Sequence, residues 1–169
     1  MSDTRTLVKR SDKVSFFGNM STGTETFNRM RGFTTLSGSK NPIEYSRQYV
    51  DEEMETTDVV GYSPSVEFGF DQYKNDAVHD EMVTILDSEK TGTDARRNIV
   101  TVDFSKPTEN DGEYKAVKRE YAIIGDADGD GTDAYTYSGT FRATGKRIEG
   151  TATLNGDSSV ATFTQATSL

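Results

Sequence analysis

The chain has 169 residues, of which 33% are hydrophobic, with no Cys, no Trp, a single His and a formal net charge of −9. That length suits one domain, or one domain with an arm, able to bury a core without cross-links, and the lack of Cys excludes disulfides and thiolate metal sites. No run approaches the roughly 18–20 apolar residues of a membrane span, Met1–Lys13 has no apolar secretion-signal segment, and a Ser-His-Asp enzyme would have to be built on His79 alone, so a soluble cytosolic non-enzyme is the expectation.

The chain opens with a polar, mildly basic arm, Met1–Lys13. Residues 1–50 hold eight Lys or Arg against four Asp or Glu, whereas the remaining residues hold eleven against twenty-four. A chain basic in front and acidic behind can attract copies of itself head to tail, and it is poorly suited to gripping phosphates. Solubility is the simpler use of the same acidity.

After the arm the pattern is mostly β. Residues 14–17 and 33–36 are aromatic and β-branched, and 43–50 alternates Ile43, Tyr45, Arg47 and Tyr49 against Glu44, Ser46 and Gln48. The turn-forming residues 37–42 predict a hairpin between the last two runs. Asp51–Asp58 holds five acids in eight residues and reads as a loop that needs a partner. Residues 65–71 place Val66, Phe68 and Phe70 on one face and Glu67 and Asp71 on the other, a half-buried strand.

Val78, Met82, Ile85 and Leu86 recur at helical spacing, with Asn75 or Asp76 as N-cap and Lys90–Gly92 at the end, which predicts one helix with a single apolar stripe. Strands follow at 99–104, 114–124, 134–144, 148–154 and 160–164, with a Gly/Asp loop at 125–133 and an Asn155-Gly156-Asp157 turn before the last. About nine strands and one packed helix give an α+β, mainly β, sandwich or barrel.

Four candidate sites stand out. Asp126, Asp128, Asp130 and Gly131 match positions 1, 3, 5 and 6 of an EF-hand loop, but position 12 is Tyr137 and no helix flanks the run, so a solvated hairpin tip is expected. His79 near Asp76 and Asp80 reads as an ordinary polar residue in the first turn of a surface helix. Tyr45, Tyr49 and Tyr62 suit a core or subunit interface better than a sugar- or base-stacking platform. The Arg96-Arg97 and Lys118-Arg119 pairs lack a wider basic cluster.

Several segments together resemble the major tail tube proteins of long-tailed, siphovirus-type bacteriophages: Ser-Lys-Asn-Pro-Ile-Glu-Tyr-Ser-Arg-Gln-Tyr-Val-Asp-Glu at 39–52, Thr-Thr-Asp-Val-Val-Gly-Tyr-Ser at 56–63, and Phe-Gly-Phe-Asp at 68–71. Lys90–Asp103 and the ending from Tyr135–Gly139 through Gly150–Thr153 fit the same layout, and the likeness runs from about Phe33 to Phe163. It implies a tail-tube-type β-sandwich or partial barrel with a flanking helix at about 76–89. In outline, 1–13 would be an N-terminal arm and 14–169 one tail tube domain with an extended acidic interaction loop at about 51–63.

The resemblance further implies six copies per ring, inner sheets joined into one barrel, and rings stacked into a hollow virion tube that conducts DNA without binding it specifically. Assembly in the host cytoplasm with tail-tip, tape-measure and tail terminator proteins, without cofactor or membrane, belongs to the same picture. Arg5, Lys9 and Arg10 of the arm and Asp51, Glu52, Glu53, Glu55 and Asp58 of the acidic loop become partners across copies. Glu44, Glu67, Asp71 and Asp103, on the polar faces of the strands, are expected to line the bore. The competing reading is a soluble β-sandwich module that binds carbohydrate through its tyrosines or calcium through 126–133.

Overall fold

The computed structural model describes residues 4–167. Eleven strands and one helix follow in order: β1 (Lys13–Asn19), β2 (Thr26–Arg29), β3 (Phe33–Ser39), β4 (Pro42–Arg47), β5 (Thr56–Tyr62), β6 (Ser65–Asp71), α1 (Ala77–Asp87), β7 (Arg96–Pro107), β8 (Glu113–Asp128), β9 (Thr136–Ala143), β10 (Ile148–Leu154) and β11 (Val160–Gln165). Short 3₁₀ turns precede β1 at Arg10–Asp12 and β7 at Gly92–Ala95. Nine strands form one antiparallel sheet in the order β10-β11-β2-β1-β7-β8-β9-β6-β3, and β10 also pairs with β8. That extra pairing closes β1, β2, β11, β10, β8 and β7 into a six-stranded barrel.

The sixteen residues of β8 belong to two structures at once. Its first half pairs with β7 on one side and with β10 on the other. From Tyr121 onward it pairs with β9, and so carries the four-stranded extension β8-β9-β6-β3 out of the barrel. Two cores result. Phe16, Phe27, Val100, Val102, Ala116, Ala152 and Ala161 fill the barrel, whereas Phe17, Ile99, Phe68, Phe70, Ile123 and Phe141 lie on the outer face under α1. Phe16 and Phe17 are both fully buried, and because successive strand residues face opposite sides, this adjacent pair supplies one ring to each core.

The helix forms where its stripe predicts. Asp76 caps it, accepting the Val78 and His79 N–H groups at 3.0 and 3.1 Å, and Val78, Met82 and Ile85 are buried against the sheet. Glu81 on an adjoining face is also buried. Its carboxylate accepts the Met20 N–H at 2.9 Å and Arg97 Nε at 3.0 Å, which compensates the desolvation of that charge.

Four expectations change. Phe33–Leu36 does not form a hairpin with Ile43–Val50: β3 pairs with β6, because Phe33, Leu36 and the β6 residues Phe68 and Phe70 share the core under α1, while β4 pairs with β5 outside the main sheet. Residues 51–58 are not all loop, since Thr56–Asp58 open β5. The Gly/Asp loop is shorter than 125–133, with β8 running on to Asp128 through a bulge at Gly125–Ala127. His79 is not a surface residue. It is fully buried; Nε2 donates to the Arg31 carbonyl at 2.6 Å and Nδ1 accepts the Tyr73 N–H at 2.9 Å, so the ring ties the helix to the connections before β3 and after β6.

Where β9 passes between β8 and β6, Gly139 allows a close approach that no side chain fits: an added Cβ would collide with the Ile124 carbonyl oxygen and stand 2.8 Å from the Phe68 ring. Gly139→Ala should therefore be destabilising, and Phe141→Ala, which empties a fully buried ring site, should cost about 3–5 kcal/mol. Urea unfolding followed by far-UV circular dichroism checks both.

Candidate functional site

The extension β8-β9-β6-β3 ends in two open edges. β3 has no strand on its outer side, and β7 begins only at Arg96, opposite Ala122, so Ile123–Asp128 of β8 is paired with β9 and with nothing on the other side. Unpaired N–H and C=O groups along such edges favour strand addition. A cleft of about 680 Å³ runs beside the β8 edge, walled by Leu86, Lys90, Gly92 and Arg96. On β3, one edge carbonyl is already engaged: Arg10 donates to Leu36 O at 3.3 Å and to Lys13 O at 2.7 Å. The strand direction alternates across the four strands, so β3 of one copy and β8 of another would meet antiparallel.

The two faces of this extension differ in kind. The side under α1 is aromatic. The other side carries Thr35 and Ser37 from β3, Glu67 and Asp71 from β6, Thr136, Ser138, Thr140 and Arg142 from β9, and Ile124 from β8. It is a hydroxyl-rich surface that carries Glu67, Asp71 and Arg142, with Asp126 and Asp130 at its margin beside the β8 edge.

Of the four acids expected to line one surface, only Glu67 and Asp71 share this face. Asp103 has the parity of Ile99 and so lies on the α1 side of the sheet, level with Lys13 and Lys115 on the neighbouring strands. The Ser105 hydroxyl holds its carboxyl below the usual carboxylate range. Glu44 stands on β4, across from Val59 on β5. The period-two pattern separates the faces of β6, whereas both faces of β4 are exposed, and it carries no information on how the faces of different strands combine.

The β4–β5 hairpin is an arm. None of its strand residues is buried, and Ile43, Tyr45, Val59, Val60 and Tyr62 are each at least 47% exposed, with Tyr49, Val50 and Met54 exposed in its turn. Asp51, Glu52, Glu53, Glu55 and Asp58 are all exposed around its tip. At the root, Asn41 adopts φ +47°, and its amide donates to Ser63 O and Ser65 Oγ at 3.0 Å each, which fixes the crossover from β3–β6 to β4–β5. The tyrosines of this arm are therefore not core residues in the isolated chain. Arg5 and Lys9 are exposed, and the backbone N–H of Lys9 donates to Asp12. Arg10, expected to reach another copy, is bound within its own chain.

At the far end of the extension, Tyr135 donates to Asp128 at 3.1 Å and Tyr137 to Asp87 at 3.1 Å, linking the 129–135 connection to the helix end. Burial, reinforced by the Asp87 carboxylate, pushes the Tyr137 phenol up to about 12. Among the described residues no group of three or more His, Cys, Asp or Glu side chains is placed to hold a metal ion, the Asp126–Asp133 run included. The Arg96-Arg97 pair is split, with Arg97 bound to Glu81. No described helix is long and apolar enough to cross a membrane.

No family model matches the sequence, and no curated protein does. Solved structures match in fold. A chain of the SPP1 tail tube superposes with a TM-score of 0.58 over 85% of this chain and 78% of its own, at 18% identity. A chain of the anti-feeding prophage baseplate, from a 6-fold symmetrised structure, superposes with a TM-score of 0.51 over 88% of this chain and 97% of its own, at 11% identity. The barrel with its helix and added strands is thus the fold found in phage tail tubes.

Tyr137 tests the closure of the far end. Its folded-state value stands above the ordinary 10.0, so its contribution to stability is whole below pH 10 and is lost as pH rises from there through about 12. In an alkaline titration of tyrosinate absorbance Tyr137 should ionise last, and Asp87→Asn should bring it back toward 10.0.

Proposed function

We propose that this protein is the building block of a phage tail tube: a structural subunit without a catalytic step, whose copies join edge to edge into rings and whose rings stack around a channel. The observation that carries the reading is the four-stranded extension with an open, direction-compatible edge on each side. An edge that pairs with the opposite edge of another copy is a heterologous contact, and such contacts close into a ring when the rotation permits. Ring closure also removes the aggregation hazard of two exposed edges.

Six copies would contribute 24 strands. At about 4.8 Å per strand such a barrel is roughly 37 Å across at the backbone before strand tilt is counted, beyond the about 16–18 strands at which barrels hold an aqueous channel. The likeness to chains of the SPP1 tail tube and of a 6-fold symmetrised baseplate supports that number. In this arrangement the aromatic face lies outward under α1, and the hydroxyl-rich face carrying Glu67 and Asp71 lines the bore. A wall of cations would release counterions from passing DNA and hold it, whereas hydroxyls and carboxylates leave it hydrated and sliding. Asp103 and Glu44 then serve outside the bore.

The exposed apolar strip of the β4–β5 arm, where Ile43, Tyr45, Val59, Val60 and Tyr62 lie together on one hairpin, is covered by neighbouring copies. The acids of its tip, Asp51, Glu52, Glu53, Glu55 and Asp58, meet cations of the N-terminal arm, Arg5 and Lys9 among them. Addition of rings starts at a tail-tip complex, with tape-measure and terminator proteins setting length, and the product is a virion component.

Electron microscopy of the purified protein should reveal six-membered rings or tubes; a strict monomer at high concentration overturns the reading. In assembled particles, Glu67→Lys with Asp71→Lys should slow DNA delivery, measured as the rate of genome release, while Asp103→Lys leaves it unchanged. Deletion of 48–55, the arm's turn, should leave the fold's thermal unfolding intact and abolish tubes.

A further inference from the structure

The two ends of the β3-β6-β9-β8 extension differ in charge, and each carries exposed aromatic surface. The register fixes which residues share an end. Asp71 pairs with Thr136 and Asp128 with Tyr137 at one end; Ser39 pairs with Ser65, and Ser65 with Arg142, at the other. The eight residues of β9 separate the ends by about 23 Å.

At the first end the Gln72 N–H donates to Tyr135 O at 2.9 Å, which brings Tyr73 and Tyr135 to one rim, 58% and 52% exposed. Around them stand Asp126, Asp130 and Asp133, all exposed, with Lys74 on the same rim and Lys90 and Arg96 across the cleft beside Asp126. At the second end Ile43 and Tyr62, at the root of the arm, are 51% and 58% exposed. Lys40, Arg142 and Lys146 flank them, exposed and without an ion pair among the described residues, while Arg147 is occupied by Glu149 at 2.6 Å and the one carboxylate beside the Thr144–Lys146 turn, Glu120, accepts from Thr144 Oγ1 at 2.8 Å.

We infer that these two ends are complementary docking surfaces through which a second copy of the chain stacks head to tail, the Tyr73–Tyr135 rim with its aspartates seating on the Ile43–Tyr62 rim with its cations. The inference rests on the tube reading and adds the ring-to-ring contact to it. Like ends repel, so a two-fold, self-limiting pairing of equal ends is disfavoured. A head-to-tail contact does not close, and it extends into a filament. Apolar anchors supply adhesion, and the rim charges set polarity and encounter rate, within a screening length of about 8 Å at physiological salt. Six such contacts per junction make each one sufficient while weak, since they act together.

Charge reversal tests this directly. One variant carries Asp126→Lys, Asp130→Lys and Asp133→Lys; Asp128 is left in place because it holds Tyr135. A second carries Lys40→Glu, Arg142→Glu and Lys146→Glu. Thermal unfolding establishes that each folds. In sedimentation velocity at low salt, each variant alone should lose the long assemblies of the unaltered protein, with the sedimenting fraction down about tenfold. An equal mixture of the two should regain them, because the acidic-at-both-ends copy alternates with the basic-at-both-ends copy. A single chain carrying all six substitutions should also assemble alone. If the folded variants form long assemblies as before, or if neither the mixture nor the six-fold variant restores them, the inference is overturned. Micrographs of the same samples separate this from failure of the tube reading: rings that no longer stack are expected here, whereas salt-sensitive chains without rings would remove the tube and leave the end-to-end contact standing.

Discussion

Everything in this molecule follows from the length of β8. A strand of sixteen residues cannot stay inside a six-stranded barrel of this size, so its second half leaves the barrel and needs partners of its own. β9, β6 and β3 supply them on one side. On the other side β7 has already turned away at Arg96, and six residues of backbone, paired with β9 on one side, are left with the outward-facing half of their polar groups unpaired. The open edge is therefore a geometric consequence of one strand being shared by two structures, and β3 supplies the second edge because the sheet stops there. Backbone polar groups demand partners whether those come from the same chain, from water or from a copy, and a copy offers them in the correct direction.

The helix serves this arrangement indirectly. By covering the aromatic face of the extension it makes the sheet one-sided, so that only the hydroxyl face and the edges remain available. Glu81 anchors it to Arg97 and to the start of the β1–β2 connection, and His79 joins it to the connections before β3 and after β6. Buried polar groups with every hydrogen bond made favour one arrangement over its competitors, because a slip of register would leave each of them unpaired. The helix thus fixes the orientation of the sheet whose edges are open.

Much of the fold was legible in residue patterns. β6, β7, β10 and β11 followed alternation, and α1 followed its stripe and Asp76 cap, because each is half buried and one-sided. The failures share a cause. Thr56–Tyr62 has β-branched residues in plenty, but both its faces are exposed in the single chain, so there was no alternation to read, and the acids ahead of it suggested a loop. Thr26–Arg29 is too short for any period. Asp126–Asp128 has the composition of a turn and is held extended by β9. His79 looked like a surface residue because the rings of Phe33, Phe70 and Tyr73 that enclose it come from elsewhere in the chain. For the polar faces, parity along Glu67–Asp71 was readable, whereas the relation of Asp103 to it depended on how three intervening strand pairings curl, which no local pattern encodes.

The adjacency of Phe16 and Phe17 has a mechanical consequence. Each ring keys a different core, yet the two hang from successive backbone units and share one peptide plane. A shear of this stretch of β1 displaces both rings, so the barrel and the helix-covered layer are coupled through it. Adjacent residues in packed contact couple energetically, so disturbance of either layer is felt in the other, and the barrel and the helix-covered sheet hold together as one stiff body.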